Sequence, residues 1–394
     1  MGFGSDAGGR RTPWIVGGMA VLAAGGVLAS VATAWMASNR TAGMALAVFA
    51  FCLIGLGVSA SGTSLLVMLA KRVPEGRRAA AATIVWMMMI FGFAVTSGLA
   101  GKMLDPYSPM RLVVVTACVC AIAFALAMAA IYKLEGAALV PAPSQTSAMA
   151  QPTFRQALAQ VWAEPAARQF TIFVFISMLA YSAQDLILEP FAGTVFGLTP
   201  GESTSLSGVQ HGGVLAGMIL VALAGVLGAR WSDKPVLRHV GSLRGWTVGG
   251  CIASALALAG LSASGFVGPG WPLKETVFAL GVANGAFSIG AISSMMRLAS
   301  QGRHAREGVR MGLWGAAQAV AFGLGGLMGT AASDVARWLI ASPGAAYASV
   351  FGFEAALFVL SAVLAWQVGK PAKQQVPGIQ TPPVSFSLAI STSK

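Results

Sequence analysis

The chain has 394 residues, of which 56% are hydrophobic and only 10% charged, and its formal net charge is +12. This composition excludes a soluble globular protein, because the few charged residues are separated by long apolar stretches. A nucleic-acid-binding role is also disfavoured. The basic residues lie in short loops beside a bilayer, where anionic lipid is their nearest partner.

Ten apolar stretches follow one another along the chain. Each is close to or longer than the ~20 residues that cross a hydrocarbon core as a helix. They cover residues 14–37, 43–70, 80–101, 111–132, 169–188, 205–229, 245–264, 275–296, 311–331 and 346–368. The sequence therefore predicts an all-α polytopic membrane protein with about ten transmembrane helices.

Positive charge alternates from loop to loop. Twenty of the 25 Lys and Arg residues lie in the two termini and in every second loop. Because positive loops stay on the cytoplasmic side, both termini are expected inside the cell. Five tryptophans fall near predicted interfaces, as an aromatic belt requires: Trp14, Trp35, Trp246, Trp271 and Trp338.

The sequence carries no motif for catalysis or for cofactor binding. It has no phosphate-binding loop, no zinc-protease helix and no nucleophile elbow. All four cysteines lie within apolar stretches, at spacings that fit neither a disulfide framework nor a zinc site. We therefore expect no enzyme, no use of ATP and no metal site of the protein's own.

A near-constant offset indicates two pseudo-repeated halves, as in transporters built from internal repeats. Four residue pairs are 228 positions apart: Arg78/Arg306, Trp86/Trp314, Gly98/Gly326 and Gly101/Gly329. The fifth and sixth stretches then have no counterpart, so the first half is expected to lack two helices. The predicted units are an N-terminal half (1–133), a cytoplasmic linker with an amphipathic segment (134–167), a six-helix half (168–368) and a cytoplasmic tail (369–394).

Acidic and basic residues alternate in three cytoplasmic loops. Such a pattern predicts charge pairs that clamp helix ends on that side of the membrane. The candidate residues of this conformational loop motif are Asp6, Arg10, Arg11, Arg230, Asp233, Arg306, Glu307 and Arg310. In the last loop, Glu307 is expected to pair with Arg306 or Arg310.

Several segments carry a family resemblance. Residues 2–11 resemble the Gly-x-x-x-Asp-x-x-Gly-Arg-Arg loop of the major facilitator superfamily. Residues 184–197, 281–296 and 306–319 resemble the PucC/LhaA group of that superfamily, its bacteriochlorophyll-delivery branch. The resemblance implies a major facilitator type fold. It also implies an assembly factor for bacterial light-harvesting (antenna) complexes, which delivers or holds bacteriochlorophyll during assembly around the reaction centre.

The resemblance implies partners and a location as well. The expected partners are antenna polypeptides, the reaction-centre complex, bacteriochlorophyll as cargo or ligand, and membrane lipid. The expected location is the bacterial inner, intracytoplasmic photosynthetic membrane. Two other functions remain open on the residues alone: a secondary transporter of a small molecule, and a permanent structural subunit of a photosynthetic complex.

The strongest candidate site lies near the outer end of the fifth stretch. Asp185 and Glu189 are four residues apart and therefore share one helix face, with the amide of Gln184 beside them. Pro190 is expected to end or kink the helix. The cluster would bind a polar substituent of a pigment, a metal-bound water or a partner polypeptide. The alternative is an interfacial helix end tied to the next loop.

The sixth stretch opens with Gln210 and His211. A neutral imidazole can be an axial ligand of a chlorophyll magnesium, although a lone His at a helix start is more often a satisfied interfacial residue. The remaining candidates for pigment or partner binding are Asn284, Trp314 and Gln318. Interhelical hydrogen bonds or core packing explain such residues, and Glu354, more often.

Overall fold

A computed structural model describes residues 12–74, 78–132, 159, 161–230, 242–300 and 307–368. Within these ranges it contains ten long helices, each long and apolar enough to cross a membrane. They are α1 (Thr12–Trp35), α2 (Arg40–Arg72), α3 (Arg78–Leu104), α4 (Pro109–Ile131), α5 (Pro165–Phe196), α6 (Pro200–Arg230), α7 (Leu243–Val267), α8 (Leu273–Ser300), α9 (Glu307–Leu339) and α10 (Pro343–Val368). The prediction of ten membrane helices is confirmed.

Most of the linker at 134–167 and the whole tail at 369–394 lie outside the described residues. The same holds for Asp6, Arg10, Arg11, Asp233 and Arg306. The division of the chain into two halves and the pairing of these loop residues therefore stay predictions.

Helix α5 continues past Pro190. Of the two expectations for this proline, that it ends the helix is wrong, and that it kinks the helix stays a prediction. The proline removes one backbone donor. The next turn is nevertheless held in place, because Phe191 and Ala192 are fully buried against neighbouring helices. The helix ends at Gly197, whose left-handed backbone (φ 70°) is a conformation that glycine adopts without strain.

Polar residues at the helix starts fix where several helices begin. Asn39 and Ser108 accept a hydrogen bond from the backbone N–H three residues on, each at 3.1 Å. Thr199 and Glu202 form a reciprocal capping box before α6: each side chain accepts from the other residue's backbone N–H, at 2.9 and 3.1 Å. The capping box fixes the residue at which α6 begins. Because only residues 197–199 connect the two helices, it also limits how α6 aligns along α5.

The six helices from α5 to α10 enclose the main apolar core. Its middle is aromatic. Phe191 of α5 contacts Phe351 of α10 with ring centroids 5.0 Å apart, and Phe287 of α8 contacts Phe358 of α10 at 5.6 Å. These edge-to-face contacts hold α5, α8 and α10 around a common interior.

Glycines allow the closest helix approaches in this unit. A Cβ atom added to Gly281 of α8 would overlap the backbone oxygen of Gln210, and one added to Gly285 would overlap that of Val214. Gly325 and Gly329 of α9 meet α5 in the same way. The small-residue spacing therefore serves helix packing, as expected for membrane helices.

Helix α3 packs mainly on α6 rather than on α2 or α4. Glycines again line the contact, since a Cβ on Gly101 would lie 2.6 Å from the backbone oxygen of Gly201. At the outer end, Thr199 donates a hydrogen bond to Asp105 at 3.1 Å. Helix α6 therefore lies between α3 on one side and α8 on the other.

Candidate functional site

The two acidic residues of α5 both face α6, as their spacing predicts. Gln210 donates a hydrogen bond from Nε2 to Oδ1 of Asp185 at 2.9 Å. One turn further out, Ser207 donates to Oε1 of Glu189 at 2.6 Å. The structure thus brings Asp185, Glu189 and Gln210 together in one polar ladder between the two helices. Bonds to an ionised carboxylate are among the stronger ones.

His211 lies beside this ladder on α6 and faces α3. Its Nδ1 is 2.8 Å from the backbone oxygen of Ser207. A carbonyl oxygen can only accept, so Nδ1 carries the proton, and in the neutral ring Nε2 keeps its lone pair. The Phe93 ring of α3 stands edge-on to the imidazole, with centroids 5.4 Å apart. In its neutral form the imidazole therefore presents Nε2 as an acceptor in an aromatic setting, which suits a metal ligand.

Five described side chains of the six-helix unit have unmatched buried polar atoms: those of Arg244 and Trp314, and the three amide or carboxyl groups of Gln184, Asn284 and Glu354. Asn284 accepts a hydrogen bond from Ser254 at 2.8 Å, as expected of an interhelical contact, but its Nδ2 has no partner. Gln184 lies close to Asp185, yet neither of its side-chain polar atoms has a hydrogen bond of good geometry, and neither oxygen of Glu354 has one. All three residues are at most 1% exposed. Buried polar atoms without partners are rare, so each of these groups needs an explanation.

The sequence did not single out Glu354 as a site residue. A hydrogen bond to another helix was its expected explanation, and the structure provides none. The signal that could have found it is a carboxylate near the middle of an apolar span, because charged groups at that depth are costly.

The other candidates lie apart from the ladder. Trp314 is 1% exposed and packs edge-on against Phe170 at 4.9 Å, so its ring belongs to the core. Gln318 is half-buried on α9, which packs against α5 and not α6. Arg230 ends α6 and Glu307 begins α9, and their side chains lie outside what the structure describes.

Arg310 forms an ion pair that the sequence did not predict. Its guanidinium forms an ion pair with Glu164, the residue before α5, at 2.5 Å. The pairing expected for Glu307, with Arg306 or Arg310, stays a prediction, because the side chain of Glu307 lies outside the described residues. The side chain of Arg310 is 5% exposed and that of Glu164 33% exposed, so the pair ties the buried start of α9 to α5 at the inner end.

Because the two side chains differ in burial, we expect their replacement to lower the free energy of unfolding by different amounts. Glu164→Leu should lower the free energy of unfolding by about 2 kcal/mol, because it removes a charge-assisted hydrogen bond to a buried guanidinium. Arg310→Met should cost only about 1 kcal/mol, because Glu164 can be hydrated. Thermal unfolding in detergent measures both. Equal losses would contradict the assignment of Arg310 as the desolvated partner.

Comparison with known proteins places the fold. A crystal structure of a POT family transporter in complex with a thioalcohol-conjugated peptide superposes with a TM-score of 0.64 at 11% identity, covering 91% of this chain and 82% of that one. A crystal structure of a mutant of the peptide transporter POT, in complex with sulfate, superposes with a TM-score of 0.60 at 14% identity. It covers 91% of this chain and 86% of that one. The protein therefore has a major facilitator type fold and is a multi-pass membrane protein.

Sequence comparison identifies the family. The family model for "PUCC protein" matches residues 1–372, so the chain belongs to the PucC family. The "Bacteriochlorophyll synthase 44.5 kDa chain" of Rhodobacter capsulatus is 49% identical over 92% of this chain and 81% of its own length. "Protein PucC" of the same organism is 28% identical over 93% of this chain and 79% of its own length. The resemblance found in the sequence is confirmed.

Proposed function

We propose that this protein is an assembly factor for bacterial light-harvesting complexes that holds or delivers bacteriochlorophyll while antenna polypeptides assemble around the reaction centre. Membership of the PucC family and the name of the 49% identical relative support a pigment-related role. The intracytoplasmic photosynthetic membrane is the location that suits this role. Antenna polypeptides and the reaction-centre complex are the proposed partners.

The observation that carries the proposal is the state of His211. Its Nδ1 is held by Ser207, which leaves Nε2 as the nitrogen able to bind the magnesium of a chlorin ring. The ladder of Asp185, Glu189 and Gln210 lies on the same pair of helices and offers polar groups for the substituents of that ring. The edge-on ring of Phe93 adds apolar contact.

We further propose that the protein performs no covalent chemistry of its own. The relative's name contains the word synthase. Membership of the PucC family and the major facilitator type fold instead favour a protein that binds and hands over its cargo. The chemistry proposed for the site is reversible ligation and hydrogen bonding.

The decisive experiment compares two substitutions at one position. His211→Leu should reduce the bacteriochlorophyll that co-purifies from a phototrophic membrane by about tenfold or more, since the axial ligand is lost. His211→Gln should retain much of it, because an amide oxygen can also bind magnesium. The absorption spectrum per mole of protein gives the measurement. Equal pigment in the wild type and the Leu variant would contradict the proposed ligand.

The same preparation tests the function itself. Antenna or reaction-centre polypeptides in substoichiometric amounts would support a transient assembly factor, whereas a fixed stoichiometry would indicate a permanent subunit. A colourless, partner-free protein would argue against pigment holding. A secondary transporter is then the second candidate, favoured by the buried carboxyl of Glu354, and solute uptake into vesicles would test it.

A further inference from the structure

Glu354 stands out among the carboxyl groups that the structure describes. It lies near the middle of α10, is 1% exposed, and has no hydrogen bond to either oxygen. Fully buried Phe351 and Phe358 lie one turn away on either side. The group is therefore enclosed in the aromatic interior of the six-helix unit, at a depth that water reaches only if helices separate.

Another polar group lies at the same depth. Phe287 of α8 contacts Phe358 of α10, and the up-and-down order of the helices makes α8 and α10 run in the same direction. Asn284 precedes Phe287 by about one turn on the same face of α8, and Glu354 precedes Phe358 in the same way on α10. The two polar residues therefore lie at the same depth in the core. Ser254 of α7 joins Asn284 there. Polar groups from α7, α8 and α10 thus lie in one layer of the core.

The charged and titratable groups around Glu354 do not neutralise it. Helix α5 contributes Asp185, whose charge repels that of Glu354, and Tyr181, whose ring contacts Phe287 of α8. Helix α7 contributes the buried thiol of Cys251 and, at its first turn, the guanidinium of Arg244, which lies over the Trp366 ring near the end of α10. On α9 and α8, the charged residues lie towards the helix ends: Glu307, Arg310, Asp334 and Arg337 on α9, and Lys274, Glu275 and Arg297 on α8. The described middle of these helices therefore supplies no cation.

A lone anion in such a place costs many kcal/mol, and a buried carboxyl without a counterion is normally neutral. We propose that Glu354 is a proton-binding site of the six-helix unit: its carboxyl holds a proton while enclosed and releases it when water reaches it. No other reactant is needed, since the step is the dissociation of a carboxylic acid into a carboxylate and a proton.

Release is coupled to movement. Water reaches Glu354 only when α10 separates from α5 or α7, which pack on either side of it. By linkage, opening favours proton release and a lower proton concentration favours opening. A rise in pH therefore shifts the unit towards its open form. This adds a driving force to whatever cargo the protein handles, and it does not depend on that cargo being a pigment.

Infrared spectroscopy of the wild-type protein in lipid bilayers tests the site directly. We expect the C=O band of a protonated carboxylic acid at neutral pH, and its loss in Glu354→Gln. The matched control is Glu275→Gln, which changes an exposed carboxylate at the outer end of α8 and should leave the band unchanged. Absence of the band in the wild type, or its persistence in Glu354→Gln, would overturn the proposal.

Two further comparisons separate the alternatives. Loss of the band in Asp185→Asn alone would assign the proton to Asp185 and overturn the assignment to Glu354. A band that appears only when choline replaces sodium would show that a metal cation occupies the site instead. If Glu354→Gln fails to accumulate, carboxyl ¹³C-labelling of glutamate in the wild type replaces it: the label must shift the band, and labelled aspartate must not.

Thermal unfolding provides an independent readout. The folded state holds a proton that the unfolded chain releases at neutral pH, so stability should fall as pH rises. Glu354→Gln has a similar shape without a proton to lose, and its melting temperature should depend less on pH than that of the wild type. Identical pH dependence in the two proteins would contradict the proposal.

Discussion

Replacing Gly281 by alanine is expected to separate α6 from α8 and to destabilise the protein by about 3 kcal/mol, the cost of overpacking a rigid contact. The new methyl group would overlap the backbone oxygen of Gln210. The clash is with main chain, so no side-chain rotation relieves it. Because Gln210 also binds Asp185, the polar ladder between α5 and α6 should be disturbed as well.

The control for this prediction is Gly315→Ala on α9, where an added Cβ meets no other atom within 4 Å. Its effect should stay within about 0.5 kcal/mol, as for most substitutions away from packed sites. Thermal unfolding of both variants in the same detergent gives the comparison. Similar losses in the two variants would show that the α6–α8 contact has more room than the structure indicates.

Asp185→Leu is the second substitution with a large expected effect. It removes the acceptor for Gln210, which is only 2% exposed, and an unmatched buried amide costs about 1–3 kcal/mol. Asp185→Asn should cost less, because the asparagine oxygen can accept the same hydrogen bond. Under the proposed function, Asp185→Leu should also reduce the recovered bacteriochlorophyll.

A double-mutant cycle isolates the hydrogen bond from the loss of volume. When Gln210→Leu is added to Asp185→Leu, no donor is left unmatched, so the double variant should lose less stability than the sum of the single losses. Strict additivity would mean that the Asp185–Gln210 contact contributes nothing to stability.

The sequence determines the fold through local patterns. Ten apolar stretches predict ten helices, since a membrane span must satisfy its own backbone groups. The shared face of Asp185 and Glu189 follows from helix geometry alone. Their partners, Gln210 and Ser207, could not be predicted, because the register of α6 against α5 depends on the cap at the start of α6 and on glycine contacts with α3 and α8.

Residues whose role depends on helix rotation were the hardest to assign. Trp314 was a candidate for pigment binding, yet the rotation of α9 places its ring on Phe170. Glu354 was expected to bond to another helix, and the rotation of α10 turns it into the apolar interior instead. Helix rotation results from the fit of many distant side chains, which composition and spacing along one segment do not record.

The position of α6 between two glycine contacts has a mechanical consequence. Its backbone is pressed against α8 on one side and α3 on the other, so neither contact leaves space for sliding side chains. Any relative motion of α3 and α8 would then be a rotation about the long axis of α6. The largest displacements would occur in the helices that do not pack on α6. His211 is a residue of α6, so a chlorin ring bound to it, as proposed, would rotate with little translation.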